Sequence, residues 1–321
     1  MKTLFLLSKE DLKIAEAEFR AVMKKRFKID RKLIVCSCDE KEIKKAEKRL
    51  ACCNSVFELL FSCSAMELEE KIREYDWETA CRESYVVRKI NCPELKDEKY
   101  YGSIIWGKLK NPKVDLKNAR TKIFLICAGK AYAVLFLSNA DKSYLRRAAA
   151  IKAARQPVAI GPKLAKVMVN LTGAEKNEVI ADPFCGTGGI LIEAGIMGME
   201  TCGWDVSGKM LKLARHNLER NMVKRWKLMN GDATKVNINA DYVVSDLPYG
   251  RNSRVTQKPE QLYASFLLNI KKSRIKKAVL GTPSFIDFKK VIKKSGFSLE
   301  NEFEHYIHKS LTKKVFVLKN D

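Results

Sequence analysis

The alternation of strand and helix patterns after about residue 162 constrains this chain more than any other feature. Short apolar runs with the character of strands are separated by segments with helical spacing. The predicted strands lie near residues 178–182, 201–205, 226–231, 241–246, 278–283, 297–308 and 312–319. Such alternation predicts a mostly parallel sheet covered by helices on both faces. Only Lys309-Ser310-Leu311 separates the last two strands, which should therefore form an antiparallel hairpin at one end of the sheet.

An aspartate stands at the end of each of the first four predicted strands. These residues are Asp182, Asp205, Asp232 and Asp246. Any one of them could be a turn former or a helix cap. Parallel sheets bind ligands at the carboxyl ends of their strands, so four acids in register indicate a ligand site.

The segment 179–191 predicts the cofactor class. An apolar strand ends at Asp182, turns through Gly186, Gly188 and Gly189, and enters a helix. Glycines allow close approach of the backbone to a ligand, and the helix start offers free N–H groups. A dinucleotide fingerprint would need glycine at Leu191, and Asp182 would repel a pyrophosphate. A ligand with an amine and a sulfonium but no phosphate fits better, which predicts S-adenosylmethionine.

The neighbouring strand ends supply the remaining cofactor contacts. Asp205 stands 19 residues past Gly186, where a ribose-binding acid is expected. Asp232 could accept a hydrogen bond from the adenine amino group. The candidate cofactor-binding residues are Asp182, Phe184, Cys185, Gly186, Thr187, Gly188, Asp205, Val206, Asp232 and Ala233.

The run Asp246-Leu247-Pro248-Tyr249 is similar to the D-P-P-Y motif of amino-group methyltransferases. The exocyclic amine of a base is a poor nucleophile because its lone pair is delocalised into the ring. Two acceptors aimed at its N–H groups, the Asp246 carboxylate and the Leu247 carbonyl, would favour a tetrahedral nitrogen. Tyr249 would stack on a base flipped out of its helix. These four residues are the candidate catalytic residues, although Leu247 stands where proline is usual.

The N-terminal half has an α+β pattern and a net positive charge. Residues 1–64 alternate strand, helix, strand, helix and strand in a ferredoxin-like order. Residues 65–142 predict a helix near 65–79, a strand at 85–90, a helix near 97–109 and two strands at 121–127 and 131–138. The basic, Ala-rich segment 143–160, with Arg155 and Pro157, predicts a linker. Both halves of the chain are basic within a net charge of +23, which favours a polyanionic partner.

The cysteine and histidine patterns predict neither a metal site nor secretion. None of the ten cysteines forms a C-x-x-C pair, and several lie in apolar strand-like runs. His305 and His308 would face opposite sides of a strand. No apolar run is long enough to span a bilayer, and the short opening run is followed at once by charged residues. We therefore expect reduced thiols, no metal and a cytoplasmic location.

Taken together, these motifs resemble the archaeal tRNA guanine-10 N2-methyltransferases, which are close to eukaryotic counterparts. Residues 113–118, followed by a two-strand hairpin, resemble a THUMP RNA-binding domain, and residues 162–166 resemble the helix before the cofactor strand. Residues 182–189 resemble the cofactor loop, residues 246–253 the catalytic loop and residues 308–313 the C-terminal hairpin of the family.

The resemblance implies a ferredoxin-like domain (1–64), a THUMP domain (65–142), a linker (143–160) and a Rossmann-like methyltransferase domain (161–321). It also implies methyl transfer to N2 of guanine 10 in tRNA, giving N2-methylguanosine and, after a second transfer, N2,N2-dimethylguanosine. By position, Lys117, Arg120 and Lys122 are candidate RNA contacts. The eukaryotic relatives suggest a small activator subunit, and a monomer is expected for this chain.

Three alternative functions stay open at the level of sequence. A related THUMP-type enzyme could act on another guanine of tRNA or of ribosomal RNA. A catalytically inactive RNA-binding protein could keep the fold, although intact acids and Tyr249 argue against it. An adenine-N6 DNA methyltransferase would share the cofactor and the catalytic loop, but the RNA-binding half of the chain disfavours it.

Overall fold

The computed structural model describes residues 1–8, 11–153, 160–249, 258–308 and 311–320. Parts of three predicted features lie outside the described ranges. They are Arg155 and Pro157 of the linker, positions 250–253 of the catalytic loop, and Lys309 and Ser310 of the hairpin. Two compact units emerge. The first comprises 1–15, 23–48 and 52–140, and the second comprises 16–22, 49–51 and 141–321.

The first unit is built on a seven-stranded sheet with the order β2-β3-β1-β4-β7-β6-β5. In chain order, residues 2–139 form β1 (Lys2–Leu7), α1 (Leu12–Met23), β2 (Lys28–Asp30), β3 (Leu33–Ser37), α2 (Glu40–Arg49), β4 (Cys53–Cys63), α3 (Leu68–Glu74), α4 (Trp77–Ala80), β5 (Tyr85–Ile90), α5 (Glu98–Trp106), β6 (Thr121–Cys127) and β7 (Ala131–Asn139). Residues 16–22 of α1 and Arg49 at the end of α2 belong to the second unit. Strands of the predicted ferredoxin-like and THUMP segments thus share one sheet, through the antiparallel pair β4 and β7.

Two local predictions for the first unit are wrong. The single helix expected near 65–79 is two short helices, α3 and α4, interrupted at Tyr75, whose backbone is extended. Cys92 and Cys127 form a disulfide, whereas all cysteines were expected to be reduced. The parallel pairing of β5 with β6 brings their carboxyl ends together, so these two cysteines, 35 residues apart in sequence, become neighbours.

The second unit contains the predicted Rossmann-like sheet. In chain order, the elements are α6 (Tyr144–Ala153), α7 (Pro162–Leu171), β8 (Val179–Asp182), α8 (Gly189–Ile196), β9 (Glu200–Asp205), α9 (Gly208–Arg220), β10 (Trp226–Asn230), β11 (Tyr242–Asp246), α10 (Pro259–Lys272), β12 (Lys277–Pro283), α11 (Phe288–Lys293), β13 (Ser298–His308) and β14 (Leu311–Lys319). Helix α6 lies in the segment predicted as a linker, where the Ala-rich sequence favours helix.

The seven strands of the second sheet have the order β10-β9-β8-β11-β12-β14-β13. Strands β8 to β12 pair in parallel, and β14 pairs antiparallel with both β12 and β13. The mostly parallel sheet and the terminal hairpin are therefore confirmed. The expectation of a helix in every earlier gap is wrong for residues 231–241, which connect β10 to β11 through a turn closed on the Asp232 carbonyl.

Large apolar side chains bury one face of this sheet under α10 and α11. Tyr263, Phe266 and Ile270 of α10 and Phe288 of α11 pack with strand residues in one cluster. Burial of such side chains stabilises each by about 1.5–3 kcal/mol relative to exposure, before entropy is counted. The strand order reverses between β8 and β11, which places a topological switch point, and hence the expected ligand crevice, at their carboxyl ends.

Candidate active site

Asp182 and Ser245 join β8 and β11 at the switch point. The Ser245 hydroxyl donates to Asp182 Oδ1 at 2.6 Å, and the Phe184 N–H donates to the same oxygen at 3.2 Å. Both side chains are buried. Burial raises the pKa of the Asp182 carboxyl to about 7, the two hydrogen bonds oppose that rise, and the negative charges of Asp246 and Asp205 add to it. A carboxyl with a pKa near neutral loses its proton readily when a cation binds nearby, because the cation favours the ionised form.

The loop after Asp182 has the backbone geometry that its glycines predict. Gly186 and Gly188 have φ of +49° and +84°, in the left-handed region that glycine tolerates best. The Cys185 N–H donates to the Trp204 carbonyl at 2.9 Å, and the Asn217 amide donates to the Thr187 carbonyl at 3.0 Å. The loop is thus fixed to β9 and α9 before it enters α8.

Asp205 connects the same loop to β9. Its Oδ2 accepts the Gly186 N–H at 3.0 Å, and its Oδ1 accepts the Ser207 N–H at 2.8 Å. The next residue, Val206, is 66% exposed. The Asp205 carboxylate could accept hydrogen bonds from the hydroxyls of a ribose. The exposed Val206 side chain could pack against the edge of a base.

Asp232 follows β10 and accepts from Thr234, through the backbone N–H at 2.9 Å and the hydroxyl at 2.8 Å. Its side chain is partly exposed, whereas Ala233 is buried. Asp182, Asp205 and Asp246 are the last residues of their strands, but Asp232 stands two residues beyond the end of β10. All four acids nevertheless lie at or just beyond the carboxyl ends of parallel strands, as the sequence predicts.

Asp246 forms a buried ion pair that the sequence does not reveal. Its Oδ2 accepts from the Lys313 ammonium, and the two side chains are only 13% and 6% exposed. Burial raises the pKa of the Asp246 carboxyl, and the Lys313 charge and hydrogen bond oppose that rise. The other oxygen, Oδ1, is buried and has no hydrogen-bond partner among the described residues. It is an acceptor with capacity for a ligand N–H.

The residues after Asp246 are fixed by β12 and α10. Leu247, at the position where the family usually has proline, keeps a backbone N–H that donates to the Gly281 carbonyl at 2.9 Å. The Tyr263 hydroxyl donates to the Pro248 carbonyl at 3.0 Å. The Leu247 substitution therefore extends the contact of β11 with β12 by one residue.

An aromatic pair stands beside the ion pair. The Tyr249 ring lies 5.4 Å from the Lys313 ammonium and 6.3 Å from the Phe285 ring, in an edge-to-face arrangement. Phe285 is 72% exposed. Phe285 is not among the site residues predicted from the sequence. Hydrophobic periodicity alone does not distinguish an exposed aromatic ring beside the site from a buried core residue.

The candidate RNA contacts lie in the first unit and all have exposed side chains. The N–H of Lys117 donates to Asp115 Oδ1 at 2.9 Å, and that of Arg120 donates to the Ser84 hydroxyl at 3.2 Å. The Lys122 ammonium lies 5.7 Å from the Phe136 ring. The backbone of Lys117 and Arg120 is therefore held by hydrogen bonds before β6 begins, while the side chains of all three residues stay exposed.

The family model UPF0020, described as RMKL-like, methyltransferase domain, matches residues 150–314. The tRNA (guanine(10)-N2)-dimethyltransferase of Methanothermobacter thermautotrophicus is 30% identical over 337 residues, covering 99% of each chain. The enzyme of the same name from Pyrococcus abyssi is 30% identical over 264 residues, covering 79% of each chain. The chain belongs to this methyltransferase family.

A solved structure extends the likeness to the whole fold. TrmN from Thermus thermophilus superposes with a TM-score of 0.58 at 18% identity, covering 100% of both chains. Across the described ranges, no helix has both the length and the hydropathy of a bilayer-spanning segment.

Proposed function

We propose that this protein transfers methyl groups from S-adenosylmethionine to the N2 amine of guanine 10 in tRNA. The products are N2-methylguanosine and, after a second transfer, N2,N2-dimethylguanosine. One observation carries the proposal: at the head of the Asp-Leu-Pro-Tyr run, Asp246 presents a buried carboxylate oxygen that has no hydrogen-bond partner in the part of the chain that the structure describes. This oxygen lies beside the acid-lined edge of a methyltransferase sheet. The names of the two archaeal relatives support the choice of base, atom and position.

The residues at the sheet edge fit this cofactor. When bound, S-adenosylmethionine supplies an electrophilic methyl group on a positively charged sulfur. Asp182, Asp205 and Asp246 give the edge a negative potential that favours such a cation. Gly186 and Gly188 allow the backbone to approach closely, and Asp205 and Asp232 stand where a ribose and an adenine amino group would need acceptors.

The chain's own groups would prepare the guanine amine. Asp246 Oδ1 accepts one N–H of the amine, the Leu247 carbonyl accepts the other, and Tyr249 stacks on the flipped base. These two acceptors favour a more tetrahedral nitrogen with its lone pair available for in-line attack. After transfer, the surplus proton leaves to Asp246 or to water. One N–H remains on the monomethylated amine, which is enough for Asp246 to position it for a second transfer.

We further propose that residues 1–64, 65–142 and 143–160 act as the ferredoxin-like domain, the THUMP domain and the linker. Lys117, Arg120 and Lys122 would then contact tRNA phosphates. Their exposed side chains, on an ordered loop and at the start of β6, and the net charge of +23 support this role. Replacing all three with glutamine should weaken tRNA binding and reduce its salt dependence, whereas cofactor affinity should not change.

The test is methylation of defined RNAs with product identification. The purified chain is incubated with methyl-labelled S-adenosylmethionine and unmodified tRNA, ribosomal RNA or DNA, and the nucleosides are identified by mass. Asp246→Ala, which removes both acceptor oxygens of the side chain, is the control. We expect N2-methylated guanosine in tRNA only, lost in the variant. Label in ribosomal RNA or in adenine would favour one of the alternative enzymes, and failure to bind the cofactor would contradict the enzyme proposal.

The same assay addresses the partner expectations. We propose that the chain is a monomer, with the need for an activator subunit left to the assay. Turnover at an enzyme concentration where sedimentation shows a single chain would show that the monomer needs no activator. The alternative outcome is that the chain binds the cofactor but methylates no RNA until a fraction of the host extract restores turnover. That outcome would support the activator subunit that the eukaryotic relatives suggest.

A further inference from the structure

Lys313 occupies an unusual position for a lysine. Its side chain is 6% exposed, and its ammonium contacts Asp246 Oδ2, whose own side chain is 13% exposed. Isolated buried charges are costly, so a buried lysine normally requires a specific partner. Buried ion pairs give little net stability, which makes a structural role alone a weak reason for this one.

The sheet fixes Lys313 in this place. Strand β14 pairs with β12 so that Lys313 stands opposite Pro283 and Val315 opposite Gly281, while β11 pairs Asp246 with Gly281. The Ser284 N–H donates to the Thr312 carbonyl at 2.8 Å and holds the start of β14. Lys313 and Asp246 therefore project from the same face of the sheet, two strands apart, where a long side chain can bridge them.

Gly281 completes the arrangement from the strand between them. A methyl group added there would lie 3.0 Å from Asp246 Oδ1 and 3.5 Å from the Met168 side chain. The missing side chain thus leaves room for the carboxylate. Lys313 occupies one oxygen, and the other is left as the acceptor without a partner among the described residues.

The ionisable groups around Asp246 come from several elements. Lys313 of β14 contacts it directly. Asp182 of β8, Tyr249, which follows β11, and Tyr263 of α10 interact with its charge. Lys313 is the cation among these groups. Its removal would leave a buried carboxylate facing a second acid and two phenols, which favours the protonated carboxyl.

We propose that Lys313 is a positioning residue for methyl transfer: its ammonium binds Oδ2 of Asp246 and holds Oδ1 as the free acceptor for the amine of the substrate base. This inference rests on the proposed function, because it gives Lys313 a role through Asp246 in that reaction. Lys313 also opposes the rise in the pKa of Asp246 that burial causes, and so favours the charged carboxylate, which can accept a hydrogen bond from the amine.

The test compares Lys313→Met, which keeps the length without the charge, with Lys313→Arg, which keeps the charge. Lys314→Met is the matched control, because Lys314 is the next residue of β14 and pairs instead with Glu302 at 3.1 Å. Steady-state rates on unmodified tRNA are measured against pH, together with cofactor affinity and the melting temperature. We expect Lys313→Met to lower kcat by roughly tenfold to a hundredfold, with KM for tRNA and cofactor affinity unchanged.

Two further readouts separate positioning from a merely structural role. The acidic limb of the kcat profile should move to higher pH in Lys313→Met, and Lys313→Arg should recover much of the rate. In the Asp246→Asn background, Lys313→Met should add little further loss, because the two residues act as a unit.

A folded Lys313→Met variant with the kcat and pH profile of the wild type would overturn the inference while leaving the proposed function intact. A rise in KM for tRNA alone, or additive losses with Asp246→Asn, would make Lys313 a direct RNA contact and would also overturn it. A wild type that methylates no RNA would contradict the proposed function and the inference together. A lower melting temperature in both Lys313→Met and Lys314→Met, with equal rates, would assign only a structural role.

Discussion

The affinity for S-adenosylmethionine should depend on pH through Asp182. The pKa of this carboxyl is about 7 because the side chain is buried and lies near the charges of Asp246 and Asp205. A bound cofactor brings positive charge to the same edge, which favours the carboxylate and lowers the pKa of Asp182. Binding should therefore release a proton, and affinity should rise as pH rises towards about 7 and then level off.

The size of the effect follows from the pKa. If only the carboxylate form binds, the apparent Kd is multiplied by one plus the ratio of protonated to ionised Asp182. Between about pH 6 and about pH 7.5 that factor falls about eightfold, equivalent to about 1.2 kcal/mol. This is an upper limit, reached when the protonated form does not bind at all. The range stays below the pKa of about 8 at which a free α-amino group loses its own proton.

Isothermal titration calorimetry in buffers of different ionisation enthalpy measures both the affinity and the proton release. Asp182→Asn is the control and should bind with an affinity that is flat over this pH range. S-adenosylhomocysteine, which lacks the sulfonium charge, should show a smaller pH dependence. An affinity of the wild type that stays constant with pH, without proton release, would refute the assignment of Asp182 as an acid coupled to the cofactor.

Three further predictions follow from the packing around the site. Gly281→Ala places a methyl 3.0 Å from Asp246 Oδ1, so kcat should fall while calorimetry shows unchanged cofactor affinity; an unaltered kcat would contradict the tight fit. Gly203→Ala places a methyl 2.5 Å from the Leu191 side chain and should cost about 1–3 kcal/mol in urea unfolding; equal stability would show that the cofactor loop yields easily. Phe285→Ala should raise KM for tRNA severalfold if this exposed ring helps to hold the base, and an unchanged KM would exclude it from the substrate site.

The chain offers matched controls for these substitutions. A methyl at Gly208 would meet open space, so Gly208→Ala should leave stability unchanged or slightly higher. Leu268 is 55% exposed on α10, and Leu268→Ala should leave KM for tRNA unchanged. Loss in these controls equal to that in the test variants would attribute the effects to general destabilisation.

The methyltransferase sheet could be predicted because its signals are local. Each strand is a short apolar run, Asp182 and Asp246 stand at strand ends, and the glycines of the cofactor loop fall within four consecutive residues, 186–189. Parallel strands separated by helices leave few alternative topologies. The hairpin prediction needed only the short gap between β13 and β14.

The features that were missed depend on tertiary pairing. Lys313 is 67 residues from Asp246, and their contact requires the register of three strands. The Cys92–Cys127 disulfide likewise depends on the pairing of β5 with β6, and C-x-x-C spacing could not indicate it. Phe285 follows β12, and the hydrophobic pattern of the sequence around it gives no sign of a function. One local signal existed: a basic residue shortly after the start of the last strand, within the segment that resembles the family's hairpin.

The central claim is that the N2 amine of guanine 10 is the methyl acceptor. The most direct test is a tRNA assembled with inosine at position 10, which differs from guanosine only by lacking that amine. The proposed function predicts full methylation of the guanosine-containing tRNA, no methylation of the inosine-containing tRNA, and equal binding of both. Equal label in the two RNAs would contradict the claim and place the acceptor elsewhere in the molecule.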